Sequence, residues 1–341
     1  MSLPSPTTRT PRPTVPFACA ALALTVLSTA CGARIEEDGT AASTTTVLRC
    51  GEEVEYTTPR RAVAYEGGSA DKLFALGLAD HVHGYVMPPA NPPVEESPWA
   101  EDYARVEFLG DDLLNRELVV EAEADLVVAG WRSGFSDERG ITPRILDGLG
   151  IQSFMHTESC YNYPGFPERE TPFEGLYTDL ERLGAIFGVP ERAEELVEGY
   201  RERVDRVVER APEGDPVSVF LYDSGTDQAF TAGSQVPPQD IISHAGGENV
   251  FGDLDERWTR VGWEAVVDAS PEVIIVLDYG EQSAEDKIDF LTSFPALAEV
   301  PAVVEENFFV LDYNEGISGP RNIDGLERFA DYLRALEEDP A

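Results

Sequence analysis

Lysine is nearly absent from this chain: only Lys72 and Lys287 occur in 341 residues, and 25 basic residues face 64 acidic ones, for a formal net charge of −39. Nucleic-acid binding is driven by basic groups that neutralise phosphates, so a chain this acidic is excluded from that class and from attraction to anionic membrane surfaces. Acidic balance can mean cationic ligands, but the simpler reading is solubility in a salty or high-GC host, which sets charge without touching function. Histidine is scarce as well, at four residues. His81 and His83 would share one face of a strand, but no third ligand accompanies them, so no metal site is assigned. Motifs of enzymes are missing too: there is no Gly-x-Ser-x-Gly elbow, no Gly-x-Gly-x-x-Gly after the first strand, no phosphate loop and no Cys-x-x-Cys. Carboxylates are too numerous for any pair to stand out as acid and base. No catalytic residue is assigned, and a non-enzymatic role is expected.

Long apolar runs are also lacking. The longest near the start, Phe17–Leu27, is too short to span a membrane, follows Arg9 and Arg12, and leads into small residues before Cys31. This pattern resembles a bacterial lipoprotein signal, which implies cleavage after Ala30 and a lipid anchor on Cys31, placing the protein on the outer face of the cytoplasmic membrane. Losing the two arginines of residues 1–30 would take the net charge from −39 to −41. Residues 31–59 are expected to form a flexible tether, since residues up to about Arg49 are polar, small and without apolar periodicity. With Cys19 removed and Cys31 lipidated, Cys50 and Cys160 remain; in an exported protein two leftover cysteines most simply form one disulfide. A two-cysteine metal site is the rival, and no nearby spacing supplies its histidines.

The length exceeds what one core usually holds, so two domains are expected. Between them lies Pro190–Arg210, where Ala193, Leu196, Val197, Tyr200, Val204, Val207 and Val208 recur at helical spacing opposite a Glu/Arg face. Pro190 suits a first helical turn, Glu191 the positive end of the dipole, and the segment around Pro212 and Gly214 a stop. One helix of roughly 30 Å, at about 1.5 Å per residue, would tie an N-terminal lobe (60–189) to a C-terminal lobe (211–341). Each half carries the same pattern without a gap, Glu117–Val128 upstream and Glu264–Ile275 downstream: an acidic residue, a short helix, a turn and a β-branched run.

From Ala62 onward β-branched runs alternate with helical segments. Strands are expected at 62–65, 81–86, 127–130, 151–156, 217–222, 273–277 and 307–312, which implies an α/β protein with two Rossmann-like lobes built on parallel sheets. Ligands of such sheets meet the loops beyond the carboxyl ends of the strands. Aromatic residues gather there: Tyr65, Trp131 beside Arg132, Tyr222, Tyr279 and Tyr313, with Trp258 and Arg260 ahead of the second repeated helix. Flat rings in a cleft between lobes suit a large, partly planar ligand.

The run Gly246–Asp253, followed by Trp258–Glu264 and Pro271–Val276, resembles the C-lobe signature of the cobalamin- and iron-siderophore-binding proteins of bacterial ABC importers. Asn115–Ala129 resembles the N-lobe counterpart, and Leu176–Gly188 the helix before the linker, so the resemblance covers about Arg60 to Leu336. It implies a monomeric solute-binding lipoprotein that carries a metal chelate, first of all a ferric siderophore, to an ABC permease dimer. Cobalamin or another corrinoid, haem and a deazaflavin cofactor precursor are the alternatives. A zinc or manganese receptor and an exported α/β enzyme are the competing classes. By the same resemblance Glu117 and Glu264 would seat in arginine pockets of the permease. The cargo would lie against Tyr65, Trp131, Arg132, Tyr222, Trp258, Arg260, Tyr313 and Arg321, the arginines serving an anionic chelate. Nothing in the family corresponds to the loop 157–174.

Overall fold

A computed structural model describes residues 44–89, 91–162, 170–211, 214–280 and 282–338. The expected signal and Cys31 lie outside the described residues, as does much of the loop 157–174. The first described element is an antiparallel hairpin, β1 (Thr44–Arg49) and β2 (Glu52–Thr57). This corrects the expected tether, because residues 44–57 are folded. Cys50 and Gly51 both have positive φ, 45° and 80°, as the tight turns that match strand twist require. Tyr56 is fully buried and its hydroxyl donates to the Ser153 carbonyl at 2.7 Å, Arg49 donates to the Ser153 hydroxyl at 2.8 Å, and Cys50 is bonded to Cys160.

The N-terminal lobe is a five-stranded parallel sheet ordered β5-β4-β3-β6-β7, from β3 (Ala62–Tyr65), β4 (Val82–Val86), β5 (Glu107–Gly110), β6 (Leu126–Ala129) and β7 (Gln152–Met155). Strands buried on both faces read as unbroken apolar runs, and β3 and β6 are buried at every position. The C-terminal lobe is built likewise from β8 (Val217–Tyr222), β10 (Gly247–Asn249), β12 (Val273–Asp278) and β13 (Phe308–Asp312) in the order β10-β8-β12-β13, all parallel. A separate two-stranded antiparallel ribbon pairs β9 (Ala229–Ala232) with β11 (Trp258–Val261).

The two lobes are joined by the helix Pro190–Val208, which buries Ala193, Val197, Tyr200, Val204 and Val207 while Leu196 is half-buried and Val208 exposed. It is fastened as well as packed. Arg201 forks onto Glu174 at 2.6 and 2.7 Å, and Arg203 reaches Asp324 and Glu327 of the last helix, Asn322–Glu338. One apolar core runs without a break from β3 and β6 through these helices to β8 and β12, and two others cover the far faces of the sheets.

The internal repeat is visible atom by atom. The helices Arg116–Glu121 and Trp263–Ala269 leave through left-handed residues at matching positions, Glu123 (φ 49°) and Ser270 (φ 48°), and lead into β6 and β12. The acid before each of those strands fastens the start of the neighbouring one. Asp125 accepts from the Arg60 and Arg61 amides, and Glu272 from the Ser218 amide and hydroxyl. Left-handed residues commonly end helices, but here non-glycine residues do so at the same step of both copies, Glu123 and Ser270.

Candidate functional site

Between the lobes lies a cleft of about 430 Å³. Its walls are the segments that follow the parallel strands: Tyr65 and Glu66 after β3, Gly130–Ser133 after β6, His156–Ser159 after β7, Asp223 after β8, Tyr279 after β12, and Tyr313 and Gly316–Ser318 after β13. The β9–β11 ribbon adds Phe230, Arg257 and Trp258. Both sheets thus point their carboxyl ends at one space, where α/β sheets hold ligands.

The base of the cleft is closed by the helix Glu66–Ala75, whose first turn abuts the C-lobe segment 313–319. A methyl group on Gly67 would fall 2.4 Å from the Asn314 Oδ1, and one on Gly68 would fall 2.3 Å from the Ser318 carbonyl oxygen. A side chain on Gly68 would press against C-lobe backbone, and one on Gly67 would have to displace the Asn314 side chain. Behind this contact the Lys72 ammonium, fully buried, donates to Asp179 Oδ2 at 2.8 Å and Ser318 Oγ at 2.9 Å, and stands 2.8 Å from His156 Nδ1. His156 Nε2 lies 2.9 Å from Ser69 Oγ. Burial alone would raise the Asp179 carboxyl, but Lys72 and His156 outweigh it and hold it well below the usual range; burial and Lys72 together push His156 down, so it stays neutral. One turn away, Arg321 Nε donates to Asp71 Oδ2 at 2.8 Å, again across the lobes. At the mouth Arg257 of the ribbon pairs with Glu158.

Five of the expected contact residues line this cleft: Tyr65, Trp131, Arg132, Trp258 and Tyr313. Three do not. Tyr222 is 1% exposed and packs against Trp263 and Phe290 on the far face of its sheet, because Phe220 and Tyr222 alternate onto that face and leave Asp223 to turn into the cleft. Arg260 is exposed on β11 with its guanidinium over the Phe230 ring, and Arg321 is consumed by Asp71. Two of three arginines expected to serve an anionic cargo are therefore elsewhere. Glu66, Asp223, His156 and the Arg257–Glu158 pair were not anticipated, and Tyr279, named among the strand-end aromatics, was not put forward as a contact; Glu66 carried one readable signal, its place directly after strand-end Tyr65 and before two glycines. Histidines 81, 83 and 244 sit apart, on Pro59, Arg61 and Asp240 respectively, and among the described residues no group of three or more His, Cys, Asp or Glu could hold a metal ion.

Glu66 has a left-handed backbone (φ 66°), as does Arg132 (φ 71°), and such strain in ordinary residues gathers at functional sites. Burial pushes the Glu66 carboxyl up to about 7, against hydrogen bonds from Tyr313 and Ser133. Glu117 and Glu264 lie well outside the cleft. Each is exposed in the first turn of its repeated helix, and the Glu117 carboxyl is held low by its backbone hydrogen bond and then by Arg116.

The family model described as "Periplasmic binding protein" matches residues 63–315. The vitamin B12-binding protein of Yersinia pestis (strain Pestoides F) is 26% identical over 250 residues, 72% of this chain and 75% of its own. Among solved structures, a periplasmic binding protein from Veillonella parvula has a TM-score of 0.72 at 24% identity, covering 86% of this chain and 98% of that one. An ABC-type Fe3+-hydroxamate transport system protein from Saccharomonospora viridis has a TM-score of 0.69 at 26% identity, covering 85% and 98%.

A carboxyl whose folded pKa is raised destabilises the fold as pH climbs: the cost is absent below the unfolded value near 4.5 and complete above about 7. Glu66→Gln should therefore be more stable than the parent at pH 8, by up to about 3 kcal/mol before cleft water is counted, and equal to it at pH 4. Urea unfolding at the two pH values measures the difference.

Proposed function

As the chain belongs to the periplasmic binding protein family, we propose that it captures a metal chelate, first of all a ferric siderophore, between its lobes and delivers it to an ABC permease dimer. The observation that carries this reading is the cleft of about 430 Å³ bounded by strand ends of both sheets and faced with Tyr65, Trp131, Trp258, Tyr279 and Tyr313. Aromatic faces supply large contact area at low entropic cost and suit a flat, partly apolar chelate. The Fe3+-hydroxamate transport relative favours an iron chelate, and the vitamin B12-binding relatives keep a corrinoid as the second reading. The size of the cleft favours the smaller cargo. Haem is a further alternative; both ring nitrogens of His156 are engaged by Lys72 and Ser69, so its axial ligand would have to come from a cleft tyrosine.

The leader supports export and anchoring, with cleavage before Cys31 and a lipid on that cysteine. Docking falls to Glu117 and Glu264. Each stands exposed at the start of an equivalent helix, with exposed apolar neighbours, Leu113 and Val120 on one lobe and Val267 on the other. Two carboxylates at pseudo-symmetric positions can be read by a two-fold permease through charge-assisted pairs to arginine.

Quenching of tryptophan fluorescence in the chain from Gly32 onward tests the cargo. A ferric hydroxamate should quench at submicromolar concentration through Trp131 and Trp258; quenching by cobalamin alone would move the assignment to the corrinoid. For docking, Glu117→Ala combined with Glu264→Ala should abolish uptake in cells and leave chelate affinity unchanged. Normal import by the double variant would remove these residues from the interface.

A further inference from the structure

The inner end of the cleft carries acid where an anion receptor would carry base. Glu66 and Asp223 both line it, and among the described residues neither forms an ion pair: Arg139 attracts Glu66, and Lys287 and Arg260 attract Asp223, only at longer range. The cleft's own arginines are accounted for at its mouth. Arg257 is neutralised by Glu158, and Arg132 is exposed at the rim.

The two carboxylates are joined through a pair of stacked rings. Tyr279 and Tyr313 lie 4.8 Å apart with 24° between their planes; Tyr279 donates its hydroxyl to Asp223 Oδ1 at 2.9 Å, and Tyr313 donates to Glu66 Oε1 at 3.4 Å. A phenol that donates to a carboxylate has a more electron-rich ring and a stronger attraction for a cation over its face. Tyr65 stands beside Glu66 on the same wall. Buried carboxylates without a salt-bridge partner are costly to ionise, and a cationic group on a ligand would offset that cost; the nearest ammonium of the protein, Lys287, lies over the Tyr279 ring at 4.7 Å from its centroid, so the rings offered to a ligand cation are Tyr65 and Tyr313. The left-handed backbone of Glu66 holds its side chain at the turn from β3 into the cleft helix, so its place there is imposed at the expense of local strain.

We propose that the inner end of the cleft, Glu66 and Asp223 with Tyr65, Tyr279 and Tyr313, is a subsite for a cationic group, a protonated amine or a quaternary ammonium, carried by the captured chelate. The cargo then enters with its metal-bearing body toward Trp131 and Trp258 and its cationic arm toward Glu66. Anionic catecholate- or carboxylate-rich chelates are disfavoured by the same charges, and selection operates by repulsion as well as attraction.

The inference rests on the cleft being the cargo site, and the test separates the two. Titrate the protein, following tryptophan fluorescence, with a linear ferric trihydroxamate bearing one primary ammonium, with its N-acetylated, uncharged counterpart, and with haem and cobalamin. The expected result is at least tenfold tighter binding of the ammonium form than of the acetylated form by the parent protein, with that ratio falling to within about twofold in Glu66→Gln combined with Asp223→Asn. Equal affinity for the two trihydroxamates, or a preference that survives the double substitution, would overturn the cationic subsite and leave the chelate receptor standing. Binding of haem or cobalamin alone would also overturn it, with the receptor role intact. Silence toward all four would overturn the receptor reading itself.

Discussion

One buried ammonium gathers the molecule. Lys72 starts in the N-lobe, takes Asp179 from the helix before the linker, His156 from the loop after β7, and Ser318 from the C-lobe. In a medium of low dielectric such a charge is tolerable only when its partners are all in place, and removing one strands the rest. Of these bonds only the one to Ser318 crosses between the lobes, so separating them here would strip the ammonium of that partner and open the buried Lys72–Asp179 pair to water. Asp71 with Arg321 repeats the constraint nearby, and the contact of Gly67 and Gly68 with Asn314 and Ser318 leaves no slack between the backbones. The cleft is open at its aromatic mouth and fixed at its base.

That fixed base explains why two lobes built on one plan make a single site. Each contributes a parallel sheet whose central strands end in the cleft, and each contributes an acid-led helix that exits through a left-handed residue, Glu123 or Ser270. The linker helix adds a third tie, through Arg201 and Arg203. A continuous hydrogen-bonded rod resists bending more than two loop crossovers would, so changes on cargo binding are expected at the cleft walls, the Arg257–Glu158 rim pair and the β9–β11 ribbon rather than between the lobes.

Local pattern carried much of this into the sequence. Strands β3 and β6 are continuous apolar runs, the linker has helical periodicity, and the repeat is gapless, so the α/β class, the lobes and the strand-end aromatics Tyr65, Trp131, Trp258 and Tyr313 were readable. What was not readable depends on distance or on face. Tyr222 ends a strand like the others, yet the alternation from Phe220 turns it to the far side. Arg321 looked available because Asp71, its partner, lies 250 residues away in the chain. Glu66 could not be singled out by type among 64 acidic residues. The hairpin 44–57 was masked by its polar composition, although Val47, Val54 and Tyr56 pack inward around the tight turn at Cys50 and Gly51.

A base clamped across the lobes by Arg321–Asp71 and Lys72–Ser318, together with a rigid linker, requires that the cleft exist before the cargo arrives. Small-angle scattering of the protein, free and saturated with its chelate, measures this directly. The curves should superimpose, with no change in radius of gyration beyond experimental error. A marked contraction on binding would mean that the lobes close about a hinge, and would contradict the clamped base.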